Sequence, residues 1–184
     1  TILAAEAARQ NGARSITLIA PYLCYMRQDI AFNPGEAVSQ RIVGGWLADR
    51  FDAVVTVDPH LHRVATLAEA VPAADAVALS AAALFGAYLQ EREPDALLVG
   101  PDEESAQWLA AATRDHPFET AVCRKLRRGD RDVSIEIPNV ALAGRSVVLV
   151  DDMASTGATL AVAARRCLER GAASVDVLVV HGLF

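Results

Sequence analysis

The sequence predicts an α/β fold built on mostly parallel sheets, and three observations support this prediction. Short β-branched runs recur along the chain, each apolar nearly throughout, as is typical of strands covered on both faces. Alanine-rich segments of helical length separate these runs. Hydrophobic residues make up 53% of the chain, which is enough to bury a sizeable core. Because strands alternate with helices, most strand pairs are expected to be parallel.

Each predicted element rests on a particular stretch of sequence. The predicted strands are SITLIAP, DAVVTVD, DALLVGP, RSVVLVDD and VDVLVVH, and the predicted helices include SAAALFGAYLQER and EESAQWLAAATRD. In DRDVSIEIP, apolar residues alternate with polar ones, which predicts a half-exposed strand in a hairpin or flap. Residues 64–80 are expected to join two α/β domains, 1–70 and 71–184, the first of them incomplete.

The composition limits the classes of function. A formal net charge of -6 argues against non-specific nucleic-acid binding. Cys24, Cys123 and Cys167 lack metal-site spacing, so we expect neither disulfides nor structural zinc, and a cytoplasmic location fits best. No apolar run reaches the about 18 residues that cross a bilayer, and no signal peptide is visible. Because the chain opens inside a predicted helix, we expect a fragment of a longer protein.

The segment VVLVDDMASTGAT predicts a ligand site at the end of a buried strand. Asp151 and Asp152 follow the apolar run, and a turn of small residues then leads into a helix. Ligands of parallel sheets bind beyond the carboxyl ends of the strands, and helix N-termini favour phosphate. Carboxylates can accept hydrogen bonds from vicinal ribose hydroxyls while the turn holds a 5-phosphate. The alternative is a capped helix start with acids that face solvent.

This strand, acid pair and turn resemble the phosphoribosyl-pyrophosphate loop of type I phosphoribosyltransferases and of ribose-phosphate pyrophosphokinases. The motif alone does not separate the two groups. The resemblance implies that ribose 5-phosphate is bound by Asp151, Asp152, Ser155, Thr156, Gly157, Ala158 and Thr159. Ala158 stands where glycine is common, and backbone-mediated binding should tolerate this change if the local dihedral angles permit it.

The segment PYLCYMRQDIAFNPGEAVSQRIVGGWL favours the pyrophosphokinases. It resembles the stretch in which that family has Tyr-x-Arg-Gln-Asp before a Pro-Gly-Glu turn and a helix, and phosphoribosyltransferases do not carry it. The resemblance implies that Arg27, Gln28 and Asp29 bind ATP. A guanidinium suits phosphate or adenine stacking, and an amide can contact a base edge. A solvated loop is the alternative.

Two further segments resemble the family's magnesium site. In TVDPHLHRV, His60 matches the histidine that helps to bind the Mg²⁺ of MgATP, whereas His62 has no counterpart and is expected at the surface. In LLVGPDEESAQW, Asp102 matches a Pro-Asp near the metal and the ribose phosphate, although this segment also suits a simple helix start. A sparse site is typical of magnesium, which keeps water and phosphate ligands.

The segment VCRKLRRGDRDVSIEIP carries five of the seventeen basic residues. It resembles the mobile flap that brings a Lys-x-Arg pair over the reacting phosphates, and Lys125 and Arg127 match that pair. The resemblance implies that both are catalytic, because cations that close over polyphosphate stabilise the charge that develops in phosphoryl transfer. A solvated basic turn is the alternative.

The whole resemblance runs from Thr1 to Phe184 and is closest to the shorter, archaeal-like branch of the family. It implies two type I phosphoribosyltransferase-like domains and a symmetric homo-oligomer. It also implies transfer of the pyrophosphoryl group of MgATP to the anomeric hydroxyl of ribose 5-phosphate. Two other functions stay open: a phosphoribosyltransferase that consumes phosphoribosyl pyrophosphate, and a catalytically silent regulatory paralogue.

Overall fold

The computed structural model describes residues 1–128 and 132–184, and for residues 125–128 and 132–134 it describes the main chain alone. The chain divides into two compact units, residues 1–79 and 80–184. This division falls later than the expected boundary at residues 70 and 71. The reason is that the segment Asp75–Leu79 forms a strand that pairs with a strand of the first unit.

The first unit is a three-stranded parallel sheet with three helices. Strands β1 (Thr17–Ile19), β2 (Ala53–Val57) and β3 (Asp75–Leu79) lie in the order β1-β2-β3, and both pairings are parallel. The helices are α1 (Ile2–Gln10), α2 (Ser39–Ala48) and α3 (Leu67–Ala70). Its core packs Leu23, Met26, Phe51, Val54 and Leu67 together with smaller apolar residues.

The second unit is a four-stranded parallel sheet covered on both faces. Strands β4 (Leu97–Gly100), β5 (Thr120–Val122), β8 (Ser146–Ala154) and β9 (Ser174–Gly182) lie in the order β5-β4-β8-β9. The helices are α4 (Phe85–Arg92), α5 (Ala106–Thr113) and α6 (Ala158–Glu169), with short 3-10 turns at Ala82–Leu84 and Glu103–Ser105. Strands β6 (Arg124–Arg128) and β7 (Asp132–Glu136) form an antiparallel hairpin.

Alternate residues of the two central strands enter two different cores. Leu97 and Leu149 pack with residues of α6 on one face, whereas Leu98 and Val148 pack with residues of α5 on the other. Continuous apolar runs are therefore needed in β4 and β8, as the sequence predicted. In the hairpin, the predicted alternation is confirmed where side chains are described, because Ile135 is buried and Glu136 is exposed.

The prediction that every apolar run is covered on both faces is wrong for β1. This strand lies at a sheet edge, and Ile19 is 72% exposed. Strand β9, at the edge of the other sheet, is partly buried on both faces, because its residues pack against both cores of the second unit. Apolar composition records a preference for extended backbone, but coverage depends on which elements pack against the strand. Strand β3 was not among the strands predicted from the sequence. All three cysteines are free, as expected, and no helix among the described residues is long and apolar enough to cross a membrane.

Candidate functional site

The predicted ligand residues follow the carboxyl ends of parallel strands in both units. In the first unit, Arg27 follows β1 and His60 follows β2. In the second unit, Asp102 follows β4, and Asp151 lies among the last residues of β8. Strands β1 and β2 are adjacent and parallel, as are β4 and β8. In each unit, the predicted residues therefore lie on the side of the sheet where the strands have their carboxyl ends. Ligands of open α/β sheets bind on this side.

The loop that is predicted to bind ATP comprises residues 22–30 and is called the ATP loop after that prediction; its backbone is anchored around Arg27. Met26 is buried at 1% exposure, and its carbonyl accepts a hydrogen bond of 3.0 Å from the equally buried side chain of Gln40. The backbone N–H of Gln40 donates to the carbonyl of Gln28 at 3.1 Å. Arg27 lies between these anchors and is exposed, so its side chain is open to a ligand. No sequence pattern singled out Gln40, which is an ordinary residue for a first helical turn.

Asp29 differs from Arg27 and Gln28, the two residues before it in the ATP loop, because its side chain is only 3% exposed. Its Oδ1 accepts a hydrogen bond of 2.6 Å from Nη1 of Arg63, while its Oδ2 is buried and has no hydrogen-bond partner in the described part of the chain. Arg63 belongs to the histidine loop, defined as residues 58–66. The ion pair therefore joins the two loops that follow β1 and β2, and the sequence did not single out Arg63.

The histidine loop presents its two histidines differently. His60 is partly buried, whereas His62 is exposed, as expected of a surface residue. The loop begins at Asp58, a buried residue with a positive φ of 36°, whose backbone N–H donates to the carbonyl of Leu79 at 2.8 Å. The bond to the end of β3 holds this strained start in place.

Carboxylates approach one another at the edge of the second sheet. Burial raises the pKa of Asp151 to about 7, and the charges of Asp152 and Asp102 contribute in that order. Asp152 is 3% exposed, and its N–H donates to Oδ1 of Asp151 at 3.0 Å. A bound cation, or hydroxyl groups that donate to these oxygens, would relieve the concentrated negative charge. The acids at this edge thus suit a polyol or a metal-bound ligand.

Asp102 has a structural function as well. Its Oδ1 accepts a hydrogen bond of 3.1 Å from the N–H of Glu104, at the start of the short 3-10 turn. Ser105 is fully buried in this turn, and a Cβ at Gly100 would lie 2.0 Å from its Oγ. Glycine at the end of β4 therefore allows the turn to pack closely. The predicted helix start and a ligand site are compatible at this position.

The turn after β8 has the features of a phosphate cradle. Strand β8 continues through both acids to Ala154 instead of ending at them. Ser155 and Thr156 are exposed, and Gly157 precedes α6 with a positive φ of 71°. A Cβ built at Gly157 would have no heavy atom of the described residues within 4 Å beyond its chain neighbours. The space beside the helix start is therefore open to a ligand.

Ala158 begins α6 directly after this glycine, and Thr159 follows it in the first turn. Oγ1 of Thr156 accepts a hydrogen bond of 3.3 Å from the N–H of Ala158. Gly157 contributes no side chain to cap the helix. Beyond Ala158, the first turn of α6 therefore presents backbone N–H groups, which favour an anion.

Lys125 and Arg127 lie in the predicted hairpin, at alternate positions of β6. Their main chains pair with Ile135 and Val133 of β7. Both side chains lie outside the described residues. Their assignment to the reacting phosphates therefore stays a prediction.

Metal binding was predicted for His60 and Asp102. Among the residues that the structure describes, no group of three or more His, Cys, Asp or Glu side chains could hold a metal ion. Magnesium that arrives on ATP needs few protein ligands, because phosphate and water complete its coordination. An imidazole and a carboxylate at the strand ends are consistent with this chemistry.

Comparison with known proteins gives matches along most of the chain. Residues 1–49 match the N-terminal domain of ribose phosphate pyrophosphokinase, and residues 67–182 match the phosphoribosyl transferase domain. A ribose-phosphate pyrophosphokinase of Methanopyrus kandleri is 38% identical over 99% of this chain and 62% of its own length. Ribose-phosphate pyrophosphokinase 2 of Archaeoglobus fulgidus is 36% identical over 90% of this chain and 58% of its own length.

A solved structure agrees with these matches. The phosphoribosylpyrophosphate synthetase from Mycobacterium smegmatis has a TM-score of 0.82 and 26% identity, covering 99% of this chain and 59% of that one. The chain therefore spans about three fifths of the length of the proteins that it matches.

Proposed function

We infer the function from the family of this chain, which belongs to the phosphoribosyl transferase domain family in its ribose-phosphate pyrophosphokinase branch. We propose that it makes phosphoribosyl pyrophosphate and AMP. The substrates would be MgATP and ribose 5-phosphate. One observation carries the proposal: the family-like segments with Arg27, His60, Asp102 and Asp151 all lie at carboxyl ends of parallel strands. That is where this class of sheet binds its ligands.

The second unit would bind ribose 5-phosphate. The backbone N–H groups from Ser155 to Thr159 and the start of α6 would hold the phosphate, because the positive end of the helix dipole favours an anion. Asp151 would accept hydrogen bonds from the ribose hydroxyls, and Asp152, which is 3% exposed, would support it through the hydrogen bond from its N–H to Oδ1 of Asp151. Each bond supplies a donor to a crowded carboxylate group, so binding is expected to relieve their mutual repulsion.

The first unit would bind ATP through the ATP loop. The exposed guanidinium of Arg27 suits the polyphosphate or the face of the adenine, and the amide of Gln28 suits a base edge. His60 would contact the Mg²⁺ that the nucleotide brings with it, and Asp102 is proposed as a metal ligand of the second unit. The metal would neutralise phosphate charge during the transfer.

The reaction would be a displacement at the β-phosphorus of ATP. The anomeric oxygen of ribose 5-phosphate would form a bond to this phosphorus and release its proton to solvent, as the bond from the β-phosphorus to the oxygen of the α-phosphate breaks and AMP leaves. Little covalent chemistry falls to the protein, so positioning and charge neutralisation dominate. Lys125 and Arg127 would neutralise the charge on the transferred group.

We further propose a cytoplasmic homo-oligomer. Large apolar side chains on the first unit support a subunit contact, because Tyr25, Phe32 and Trp46 are 60%, 69% and 54% exposed. Tyr25 and Trp46 line the same surface cavity as the exposed Ile2 and Ile42, and contiguous exposed apolar side chains are typical of interaction surfaces.

The test is an assay of AMP formation by the full-length protein with MgATP and ribose 5-phosphate. We expect AMP and phosphoribosyl pyrophosphate in equal amounts, and no AMP when ribose 5-phosphate is left out. A phosphoribosyltransferase would instead consume phosphoribosyl pyrophosphate when given a base and would make no AMP. A silent paralogue would bind nucleotide without turnover. Either result would overturn the proposal.

A further inference from the structure

We infer that Asp29 and Arg63 form a positioning pair for the ATP loop, so that Asp29 affects ATP binding through Arg63 and not by touching the nucleotide. This inference rests on the proposed function, since it concerns the loop that would bind ATP. It assigns a function to Arg63, which lies in the same segment as His60 but was not itself predicted to contact a ligand.

The first support is the burial of the Asp29 carboxylate. Its side chain is 3% exposed, and the Nη1–Oδ1 distance to Arg63 is 2.6 Å. Arg27, two residues earlier, is exposed. A buried carboxylate already bound to a guanidinium is poorly placed to contact a ligand that enters from solvent, whereas Arg27 is well placed.

The second support is the dependence of this carboxylate on a single partner. Oδ2 of Asp29 is buried without a hydrogen-bond partner in the described part of the chain. A buried charge is strongly unfavourable unless it is paired. The loop conformation that buries Asp29 is therefore stable only while Arg63 is in place.

The third support is the position of the pair beyond the strands. The parallel ladder between β1 and β2 continues as far as a hydrogen bond of 3.0 Å from the N–H of Val57 to the carbonyl of Pro21. After this point the chain leaves the sheet on both sides. The Asp29–Arg63 pair continues the connection between the ATP loop and the histidine loop, so it fixes Arg27 relative to the loop that carries His60.

The backbone is held by hydrogen bonds on both sides of Arg27. Gln40 binds the carbonyls of Met26 and Gln28, and the ion pair then holds Asp29. Arg27 is thus presented by a backbone that is fixed before and after it. Such preorganisation increases affinity because less conformational freedom is lost on binding.

The decisive experiment measures ATP affinity by calorimetry, together with turnover, for Arg63→Met in the full-length protein. We expect the dissociation constant for ATP to rise about tenfold, the lower end of the loss seen when an outer-shell partner is removed. The affinity for ribose 5-phosphate should stay unchanged, and kcat should fall less than KM for ATP rises. Arg63→Lys, which keeps the charge, should recover part of the loss.

The matched control is Arg9→Met. It removes another ion pair of the first unit, in which Nη2 of Arg9 lies 2.5 Å from Oδ2 of Asp52, before the start of β2. This change should leave the affinity for ATP at the wild-type value. If both variants lose ATP affinity equally, the effect is general destabilisation and the inference is wrong.

Further outcomes are equally decisive. Wild-type ATP affinity in a folded Arg63→Met protein would overturn the inference, as would an equal loss of affinity for ribose 5-phosphate. If Arg63→Met does not fold, the neutral pair of Asp29→Asn with Arg63→Gln replaces it, and near-normal ATP binding in this double variant is expected. A wild-type protein that binds ATP but makes no AMP would refute the proposed function and leave this inference standing.

Discussion

Asp102 and Asp151 lie 49 positions apart in the sequence (151 minus 102), yet the charge of Asp102 acts on the Asp151 carboxyl. Asp102 follows β4 and Asp151 lies near the end of β8, the strand next to it in the sheet. Burial is the main cause of the raised pKa of Asp151, about 7, with Asp152 second and Asp102 third. The parallel pairing of β4 and β8 therefore brings together carboxylates that lie far apart in the sequence.

The raised pKa of Asp151 predicts how the stability of the ligand-free protein depends on pH. Because the folded state binds this proton more tightly than the unfolded state, Asp151 contributes stability that is fully present below about pH 4. The contribution is lost as pH rises through about 7, the folded pKa. Asp151→Asn should remove this loss and raise the melting temperature at pH 8 relative to wild type. Thermal unfolding from pH 4 to 8 checks it, and parallel profiles for the two proteins would contradict it.

Gly157→Val should abolish ribose 5-phosphate binding and leave ATP binding largely intact. The valine would project into the open space beside the start of α6, where the phosphate would lie. The control is Gly144→Val, since Gly144 has a similar φ of 75° and equally open surroundings. It imposes the same backbone strain away from the predicted phosphate turn. Calorimetry decides, and similar losses in both variants would mean that strain alone explains the effect.

His60→Ala should raise the magnesium concentration needed for half-maximal activity without lowering the melting temperature appreciably. The reason is that a metal ligand is lost while the strands of the first unit are untouched. His62→Ala, two residues away at an exposed position, serves as the control and should behave like wild type. If the magnesium titrations of the two variants coincide, His60 does not bind the metal.

Lys125→Ala should lower kcat by at least about a hundredfold, the loss typical of removing one group that stabilises charge in the transition state. Michaelis constants should change only a fewfold, since such a group acts little before charge develops. The double variant with Arg127→Ala should be less than additive if the two cations act as one unit. Arg124→Ala, in the same strand, is the control. Near-normal kcat with weakened ATP binding would show that Lys125 only holds the nucleotide.

Gly44→Ala should destabilise the first unit by about 1–3 kcal/mol or more, the usual cost of an overpacked contact. A Cβ there would lie 1.7 Å from the carbonyl oxygen of Ala70 at the end of α3, so α2 would have to move. A Cβ at Gly45, the next residue of the same helix, meets no atom of the described residues within 4 Å beyond its chain neighbours and the backbone of its own helix. Gly45→Ala should stabilise by about 0.5–1 kcal/mol, because alanine loses less backbone entropy in a helix. Denaturant unfolding would reveal the opposite signs.

The sequence by itself determined the α/β class and the positions of the candidate ligand residues within it. Both follow from local chemistry: apolar β-branched runs favour strands, and polar residues that follow such runs lie at strand ends. The glycine, acid and hydroxyl pattern around Gly157 is also local, because a turn and a helix start are made by neighbouring residues. Arg27, His60, Asp102 and Asp151 could therefore be placed at strand ends before any contact was known.

Only the tertiary structure decided which of these candidate residues are exposed and which are held by other residues of the protein. Asp29 could not be separated from Arg27 by sequence, because its burial depends on Arg63, 34 residues later. The exposure of Ile19 and the close packing at Gly44 likewise depend on elements distant in sequence. Contacts of this kind arise from strand order and helix packing. A local sequence pattern reflects the conformational preferences of neighbouring residues. It does not identify the distant residue that will complete an ion pair or a packing contact.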